Sequence, residues 1–187
     1  MSIRRPLDQR RLFFALALAC AGAAAALLPA CSEDSPKSPA RPGSPSPAAG
    51  SLVAATDCKS AKLAVDDEYG PDVDCVVWTY DGQGALAIKH VNAGLNCCPG
   101  TIAADIQISG AEIEITAREG DDADPCDCLC LFDLDYEFTG IPAGPCTLTF
   151  HEIYLPAGAE ILSVVIDLAV EPEGSFCVPR STYPWGG

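Results

Sequence analysis

Apolar residues in the second half of the chain alternate with polar ones, with the period of two that is typical of strands. Ile113 and Ile115, for example, alternate with Glu112 and Glu114 after a turn at Gly110. Segments rich in Gly, Pro and Asp separate the runs that show this pattern, which are 75–80, 85–91, 102–108, 113–116, 128–139, 147–155 and 161–170. The pattern predicts about seven short strands, with a hairpin around Gly110 as the best-defined turn.

Short strands with a turn about every ten residues, and no amphipathic helix of useful length, indicate an all-β domain. The expected architecture is an antiparallel β-sandwich of the immunoglobulin-like type. The residues from Leu52 to Gly187 are enough for one domain with its own core and too few for two. We therefore predict a single β-sandwich domain over residues 52–187.

The start of the chain has the layout of a secretory signal, because four arginines precede the uncharged run 12–28. The sequence Leu28-Pro29-Ala30-Cys31 closes this run and resembles a bacterial lipobox, in which a lipid is attached to the cysteine and the chain is cut before it. We predict a signal peptide over residues 1–30 and a lipidated Cys31 that anchors the protein to a membrane. The alternative is an uncleaved transmembrane anchor, since the apolar run is nearly long enough to span a bilayer.

The resemblance to lipoproteins implies a place outside the cytoplasm, in the bacterial cell envelope. Ser32, rather than an aspartate, follows the cysteine, which favours the outer membrane if the host is Gram-negative. Residues 31–51 contain five prolines, six serines and no large apolar side chain, so they cannot bury a core. They are predicted to be a disordered tether that reaches at most about 60 Å in the polyproline II conformation. A Pro-x-x-Pro ligand for an SH3-like domain is the alternative reading.

The predicted domain is strongly acidic. From Asp57 onward there are 23 acidic residues against five basic ones, a net charge of −18. This charge repels nucleic acids and anionic lipid headgroups, and so excludes nucleic-acid binding. The negative charge favours solubility of a domain exposed to solvent, and it is compatible with binding of a cation or a basic partner. The charge does not identify a protein partner or a ligand.

Nine cysteines follow Cys31, which in an oxidising compartment predicts disulfides with one thiol left over. The disulfide candidates are Cys58, Cys75, Cys97, Cys98, Cys126, Cys128, Cys130, Cys146 and Cys177. If the run 126–130 is extended, its three sulfurs share one face at the outer limit of disulfide distance, so they are expected to pair with Cys97 and Cys98. Weaker hypotheses are the pairs Cys58–Cys75 and Cys146–Cys177.

A thiol-based site is the alternative to structural disulfides. Cys97, Cys98, Cys126, Cys128 and Cys130 offer thiolates that suit Zn²⁺ or Cu⁺, or a redox-active pair. Their spacing lacks the Cys-x₂-Cys pattern of common zinc modules, and thiolates outside the cytoplasm are prone to oxidation. The favoured interpretation, structural disulfides, therefore includes no metal and no cofactor.

Several motifs between residues 73 and 148 together resemble a scattered group of uncharacterised bacterial secreted lipoproteins. They are His90-Val91-Asn92, Asn96-Cys97-Cys98, the Ile-x-Gly-x-x-Ile segment 108–113, Cys126-x-Cys-x-Cys130 and the Gly-x-Pro-x-Gly loop 140–144. The resemblance implies a β-sandwich with a disulfide-linked cluster. It implies no activity.

Other candidate chemistry is sparse. The chain has no nucleophile elbow, no phosphate-binding glycine loop and no His-Glu-x-x-His motif, so we predict that it is not an enzyme. His90 and His151 are interpreted as structural, with contact to the cysteines as the alternative. The acidic loop 119–124 is interpreted as solvated, with Ca²⁺ binding as the alternative. The aromatic tail 181–187 is expected to cover a sheet edge, or else to form a recognition patch. The sequence thus predicts a lipid-anchored binding or structural module.

Overall fold

The computed structural model describes residues 47–59, 68–124 and 126–186. The predicted signal peptide, Cys31 and most of the predicted tether lie outside the described residues. Within the described ranges, no helix is long and apolar enough to cross a membrane.

Nine strands make up the described part of the chain. They are β1 (Ala49–Ala55), β2 (Val73–Tyr80), β3 (Leu86–Asn96), β4 (Ala103–Ser109), β5 (Glu112–Arg118), β6 (Leu129–Thr139), β7 (Pro145–His151), β8 (Leu162–Asp167) and β9 (Glu173–Pro179). Strands β2 to β8 correspond to the seven predicted runs, and β1 and β9 were not predicted. Glycine at φ 63° closes the β4–β5 hairpin at Gly110, as a tight turn requires.

The strands form two sheets, which we call sheet A and sheet B. Sheet A has the order β1-β6-β3-β2-β9, and sheet B has the order β4-β5-β7-β8. The prediction of an all-β, disulfide-stabilised sandwich is confirmed, with one departure from a wholly antiparallel arrangement. Strand β7 runs parallel to β5, because the chain leaves sheet B after β5, crosses sheet A as β6 and returns in its original direction.

The core lies between the two sheets and follows the alternation of the sequence. Ile113 and Ile115 of β5 are buried, while Glu112 and Glu114 are exposed, as the pattern predicts. Burying one large apolar side chain contributes about 1.5–3 kcal/mol, so the core is the main source of stability. The largest fully buried side chains are Trp185, Tyr136, Phe138, Phe150, Leu86, Ile88, Leu95, Ile113, Ile115, Leu134, Leu148 and Leu162.

The folded part begins three residues before the predicted boundary at Leu52, because β1 starts at Ala49. Residues 49–51 had been assigned to the tether for their small, polar side chains. Their backbone pairs with β6, from Ala49 opposite Thr139 onward, and this pairing needs no apolar side chain. Gly50 packs directly on the Phe138 ring, where a Cβ atom would collide with it.

All four disulfides of the described residues lie in sheet A or in the segments that extend its strands. The predicted pair Cys58–Cys75 is wrong, because Cys58 follows β1 while Cys75 lies in β2, and two strands, β6 and β3, separate them in the sheet. Cys75 instead bonds Cys177, its direct partner across the β2–β9 pair. The predicted pair Cys146–Cys177 is also wrong, because Cys146 lies in β7 of sheet B, is buried and remains a free thiol.

Candidate functional site

Two disulfides join the end of β3 to the segment before β6. Cys97 bonds Cys128, and Cys98 bonds Cys126. The two strands are neighbours, and their pairing continues past the last strand residues, since the Cys97 backbone N–H donates to the Cys128 carbonyl at 3.1 Å. The structure therefore confirms the expected pairing of Cys97 and Cys98 with the later cysteine run.

The third member of that run behaves differently from the prediction. Strand β6 begins at Leu129, so Cys126 and Cys128 precede it and the three sulfurs do not share one strand face. Cys130, inside β6, bonds Cys58 on the β1 side of the sheet. Strand β6 lies between β1 and β3, which is why its cysteines reach partners in both directions.

The three disulfides are nevertheless in contact, and we call their six sulfurs the sulfur cluster. The sulfurs of Cys58, Cys97 and Cys130 lie within 4.8 Å of one another, and so do those of Cys97, Cys126 and Cys128. The Sγ atoms of Cys126 and Cys128 are only 3.6 Å apart. Cys97 belongs to both groups, so the cluster is continuous. Its ends, Cys98 and Cys58, are exposed, whereas Cys130 is buried and the remaining three are half-buried.

Asn96 holds one end of the sulfur cluster in place. Its Oδ1 accepts hydrogen bonds from the backbone N–H groups of Cys98 (2.9 Å) and Cys126 (3.1 Å), and its Nδ2 donates to the Cys126 carbonyl at 2.7 Å. Its own backbone N–H donates to Glu119 at 2.9 Å. A buried amide with this many partners fixes the backbone on both sides of the Cys98–Cys126 bond.

The acidic loop 119–124 is tied to the fold by its own carboxylates. Asp122 accepts hydrogen bonds from the Thr101 N–H (2.8 Å) and hydroxyl (2.9 Å), and these bonds lower the pKa of Asp122. Glu119 accepts from the Tyr154 hydroxyl at 2.7 Å as well as from Asn96. Among the described residues, no group with closely spaced ligand atoms includes this loop. The loop was expected to be solvated, but two of its carboxylates, those of Glu119 and Asp122, are bound to the fold.

A second cluster, which sequence reasoning missed, is a buried charge network of Asp74, His90, Glu152 and Arg180. Asp74 accepts from His90 Nε2 at 2.8 Å and from Arg180 Nη2 at 2.5 Å, using a different carboxylate oxygen for each. Glu152 Oε1 lies 3.6 Å from His90 Nε2 and accepts from the Gly94 N–H at 3.1 Å. All four side chains are at most 4% exposed. Glu152 follows β7 of sheet B, whereas the others belong to strands of sheet A or follow one, so the network joins the two sheets.

The network changes the protonation of its members. Burial lowers the pKa of His90, but the negative charge and hydrogen bond of Asp74 outweigh it, so that the pKa is raised. Burial and the charge of Asp74 raise the pKa of Glu152 to about 7. Among the described residues, the Oε2 atom of Glu152 and the Tyr136 hydroxyl have no hydrogen-bond partner, although both are buried. Burial and the charge of Glu152 raise the pKa of Tyr136. The network therefore retains a proton that the unfolded chain would release below pH 7.

Asp74, His90 and Glu152 each offer one ligand atom, and these atoms lie within 4.8 Å of one another. The Arg180 guanidinium already compensates the charge of Asp74, so a metal ion would add positive charge to a network that contains two cations. The adjoining cavity, lined by His90, Phe150 and Glu152 among others, measures about 10 Å³. That volume holds at most one water. The geometry is that of a structural ion network rather than a substrate pocket.

The two histidines and Cys146 are the remaining candidates. His151 is exposed and lies 3.4 Å from Glu114, outside both clusters, whereas His90 belongs to the charge network through its bond to Asp74. Among the described residues, no group of closely spaced ligand atoms combines a histidine with a cysteine, so the structure does not support the alternative of contact with the cysteines. Cys146 is buried within the core, and burial raises the pKa of its thiol, which makes it unreactive.

The C-terminal tail covers sheet A at the centre rather than at an edge. Trp185 is buried against Gly94 of β3, and its indole N–H donates to the Asn92 carbonyl at 2.8 Å. Asn92 lies at a bulge of β3 with a positive φ of 66°, and its Nδ2 donates to the carbonyls of Gly70 and Val73. The tail therefore belongs to the folded domain, but the expectation that it covers a sheet edge is wrong, because Trp185 packs on β3, the central strand of sheet A.

Comparisons with protein-family models, with curated proteins and with solved structures give no significant match.

Proposed function

We propose that this chain is a lipid-anchored extracytoplasmic module with a binding or structural role. One observation carries the proposal: eight of the nine cysteines that follow Cys31 form disulfides that fit the fold. Disulfides of this kind persist in oxidising compartments and are rare in the cytosol. A domain built around them belongs outside the cytoplasm, where the signal-like N-terminus of this sequence would deliver it.

The anchor proposed for the module is a lipid on Cys31, with attachment to the membrane through that lipid alone. Several acyl chains hold a protein stably, at about 0.8 kcal/mol per buried CH₂ group. Ser32 favours the outer membrane of a Gram-negative host. The similarity to secreted bacterial lipoproteins supports the same location, and the acidic domain would neither adsorb to anionic headgroups nor bind nucleic acids.

A non-enzymatic role is supported by the way the polar groups are used. The cavity that adjoins the buried charge network holds at most one water, and Asn96, Glu119 and Asp122 use their hydrogen bonds to hold the fold. Because its polar side chains stabilise loops and join the two sheets, the domain is rigid, and it would present a fixed surface to a partner from the end of the tether.

The test is to express the full chain in a bacterial host and to compare the variants Cys31→Ser and Cys20→Ser. With the proposed lipobox, Cys31→Ser abolishes incorporation of labelled palmitate and leaves the signal uncleaved at that site. Cys20 lies within the predicted signal peptide, so the Cys20→Ser variant should incorporate labelled palmitate as the parent protein does. Equal labelling of both variants, or a parent protein that remains in the cytosolic fraction, would contradict the proposal.

A second candidate is a thiol-based redox role for the sulfur cluster. The observation that favours it is the continuity of the three disulfides, because isolated structural disulfides have no other sulfur within reach. As long as these cysteines are oxidised they offer no thiolate to a metal ion, so a metal-binding role would require their reduction.

A further inference from the structure

We propose that the sulfur cluster is a disulfide-exchange relay, which carries a pair of electrons between two surface cysteines, Cys98 and Cys58. This goes beyond the module role and does not depend on the lipid anchor. The relay rests on three features of the cluster: its sulfurs are continuous, both ends are exposed, and the four cysteines between them are buried or half-buried.

The first requirement is an accessible point of attack. Cys98 is exposed, whereas its partner Cys126 is half-buried, so an external dithiol meets the Cys98 sulfur first. Thiol–disulfide exchange proceeds by attack of a thiolate on one sulfur and departure of the other as a thiolate. Attack on Cys98 therefore forms a mixed disulfide with the external dithiol and releases Cys126 as a thiolate. The second thiol of the reductant then displaces Cys98 and leaves as a disulfide.

The second requirement is a new target for the released thiolate. Cys126 Sγ lies 3.6 Å from Cys128 Sγ, a distance close to van der Waals contact, so the released thiolate has an intramolecular target beside it. Attack on Cys128 forms the bond Cys126–Cys128 and releases Cys97 as a thiolate. Asn96 holds the backbone of Cys98 and Cys126 through this step, so the released thiolate stays beside its target.

The third step uses the position of Cys97 in both groups of sulfurs. Its sulfur lies within 4.8 Å of those of Cys58 and Cys130. Attack on Cys130 forms Cys97–Cys130 and releases Cys58, which is exposed. In sum, three disulfides and one external dithiol become two cluster disulfides, thiols at Cys98 and Cys58, and one external disulfide. Two electrons and two protons pass from the dithiol to the two cysteines. Attack of Cys58 on an external disulfide then forms a mixed disulfide and releases one external thiol. Reversal of the exchanges from Cys98 frees the Cys130 thiolate, which displaces the second external thiol from Cys58 and restores the three original disulfides.

The decisive variant is Cys98→Ser, which leaves Cys126 without its partner and so begins the relay at its second step. The matched control is Cys177→Ser, which breaks the disulfide with Cys75 and leaves Cys75 as a free thiol. Neither cysteine belongs to the two groups of closely spaced sulfurs found among the described residues. The exported protein is held at pH 8, quenched with acid, alkylated and mapped by mass spectrometry without reduction. Exchange needs a thiolate, so a parallel sample kept at pH 4 gives the starting arrangement.

We expect the Cys98→Ser protein at pH 8 to carry its extra thiol in part on Cys97, in molecules with the new bond Cys126–Cys128. The rest carries it on Cys58, in molecules with both new bonds, Cys126–Cys128 and Cys97–Cys130. In Cys177→Ser the extra thiol stays on Cys75. An extra thiol confined to Cys126, or shared only between Cys126 and Cys128, overturns the relay.

A measurement on the parent protein keeps the test independent of whether the variant folds. One equivalent of dithiothreitol is added at pH 8, and the products are quenched and mapped in the same way. The relay predicts molecules with thiols at both Cys98 and Cys58 together with the two new disulfides. Molecules that carry thiols only in original pairs, such as Cys98 with Cys126 or Cys58 with Cys130, contradict it. Neither result bears on palmitate incorporation at Cys31, so failure of the relay and failure of the module proposal are distinguishable.

Discussion

Replacing Glu152 with Gln should reduce the dependence of stability on pH. Glutamine has the shape of the carboxyl group and keeps an acceptor for the Gly94 N–H, which donates to Glu152 at 3.1 Å. It has no proton to gain or lose. Because Glu152 is buried in the charge network with a pKa of about 7, against an ordinary value of 4.5, the folded protein holds a proton there that the unfolded chain has released. The substitution removes this difference, together with the contribution of the Glu152 charge to the raised pKa of His90.

The sign and size follow from linkage between proton binding and folding. Stability falls with rising pH wherever the folded state binds more protons, which for Glu152 is the interval from about pH 4.5 to 7. At about 1.4 kcal/mol per pKa unit, the shift corresponds to a loss of roughly 3 kcal/mol across that interval. His90, whose pKa is also raised, adds a loss of the same sign at higher pH. The parent protein should therefore be less stable at pH 8 than at pH 5 by an amount that the Gln variant largely lacks.

The assay is urea denaturation at pH 5, 6, 7 and 8, followed by the fluorescence of Trp78 and Trp185, which are both buried. The control variant is Glu112→Gln, an exposed carboxylate of β5 that should leave the pH profile as it is in the parent. We expect the difference in unfolding free energy between pH 5 and pH 8 to shrink by up to about 3 kcal/mol in Glu152→Gln. If the two variants and the parent have the same pH profile, the argument from the charge network is refuted.

Three further predictions concern other parts of the fold. Asn96→Ala removes the amide that bridges the Cys98 and Cys126 segments and should lower the unfolding free energy by about 1–3 kcal/mol in urea denaturation, whereas an unchanged midpoint would rule out that bridging role. At Asn92, with its positive φ, Ala should be less stable than Gly by about 1 kcal/mol, because both lose the side-chain bonds but only Ala strains the backbone; thermal melts that rank Ala equal to Gly would contradict this. Replacing Cys75 and Cys177 together with Ala should cost about 2–5 kcal/mol, since their bond closes a loop with a sequence separation of 102, and a smaller loss in urea denaturation would show that the unfolded chain is already constrained.

The sequence predicts the strands whose two faces differ, because burial of one face imposes a period of two on the side chains. It does so for β5, where isoleucine and glutamate alternate. Strand β1 escaped prediction because an edge strand of small residues is held by backbone pairing and by the contact of Gly50 with Phe138, and neither leaves an apolar pattern. Strand β9 has one buried apolar residue, Val178, and a single position sets no period.

The candidate sites divide in the same way. The pairing of Cys97 and Cys98 with the later run was predictable, because two dense groups of cysteines in neighbouring segments leave few other partners. The bonds of Cys58, Cys75 and Cys177 depend on strand order, which no local pattern encodes. The charge network is harder still, since Asp74 and Arg180 are 106 residues apart and each reads locally as an ordinary polar residue in or beside a strand.

The bond between Cys58 and Cys130 has a mechanical consequence for a protein held by its N-terminus. Any force arriving along the residues before Ala49 acts on β1 first, since β1 is an edge strand whose one neighbour among the described strands of its sheet is β6. If β1 is pulled away from β6, detachment stops at Cys58, because this residue is bonded to Cys130 within β6 itself. The freed segment 49–58 spans at most about 35 Å when fully extended. Beyond that length the load passes through the covalent bond to β6, beside the central strand of sheet A, so the chain cannot be peeled from the sheet past residue 58 without breaking that bond.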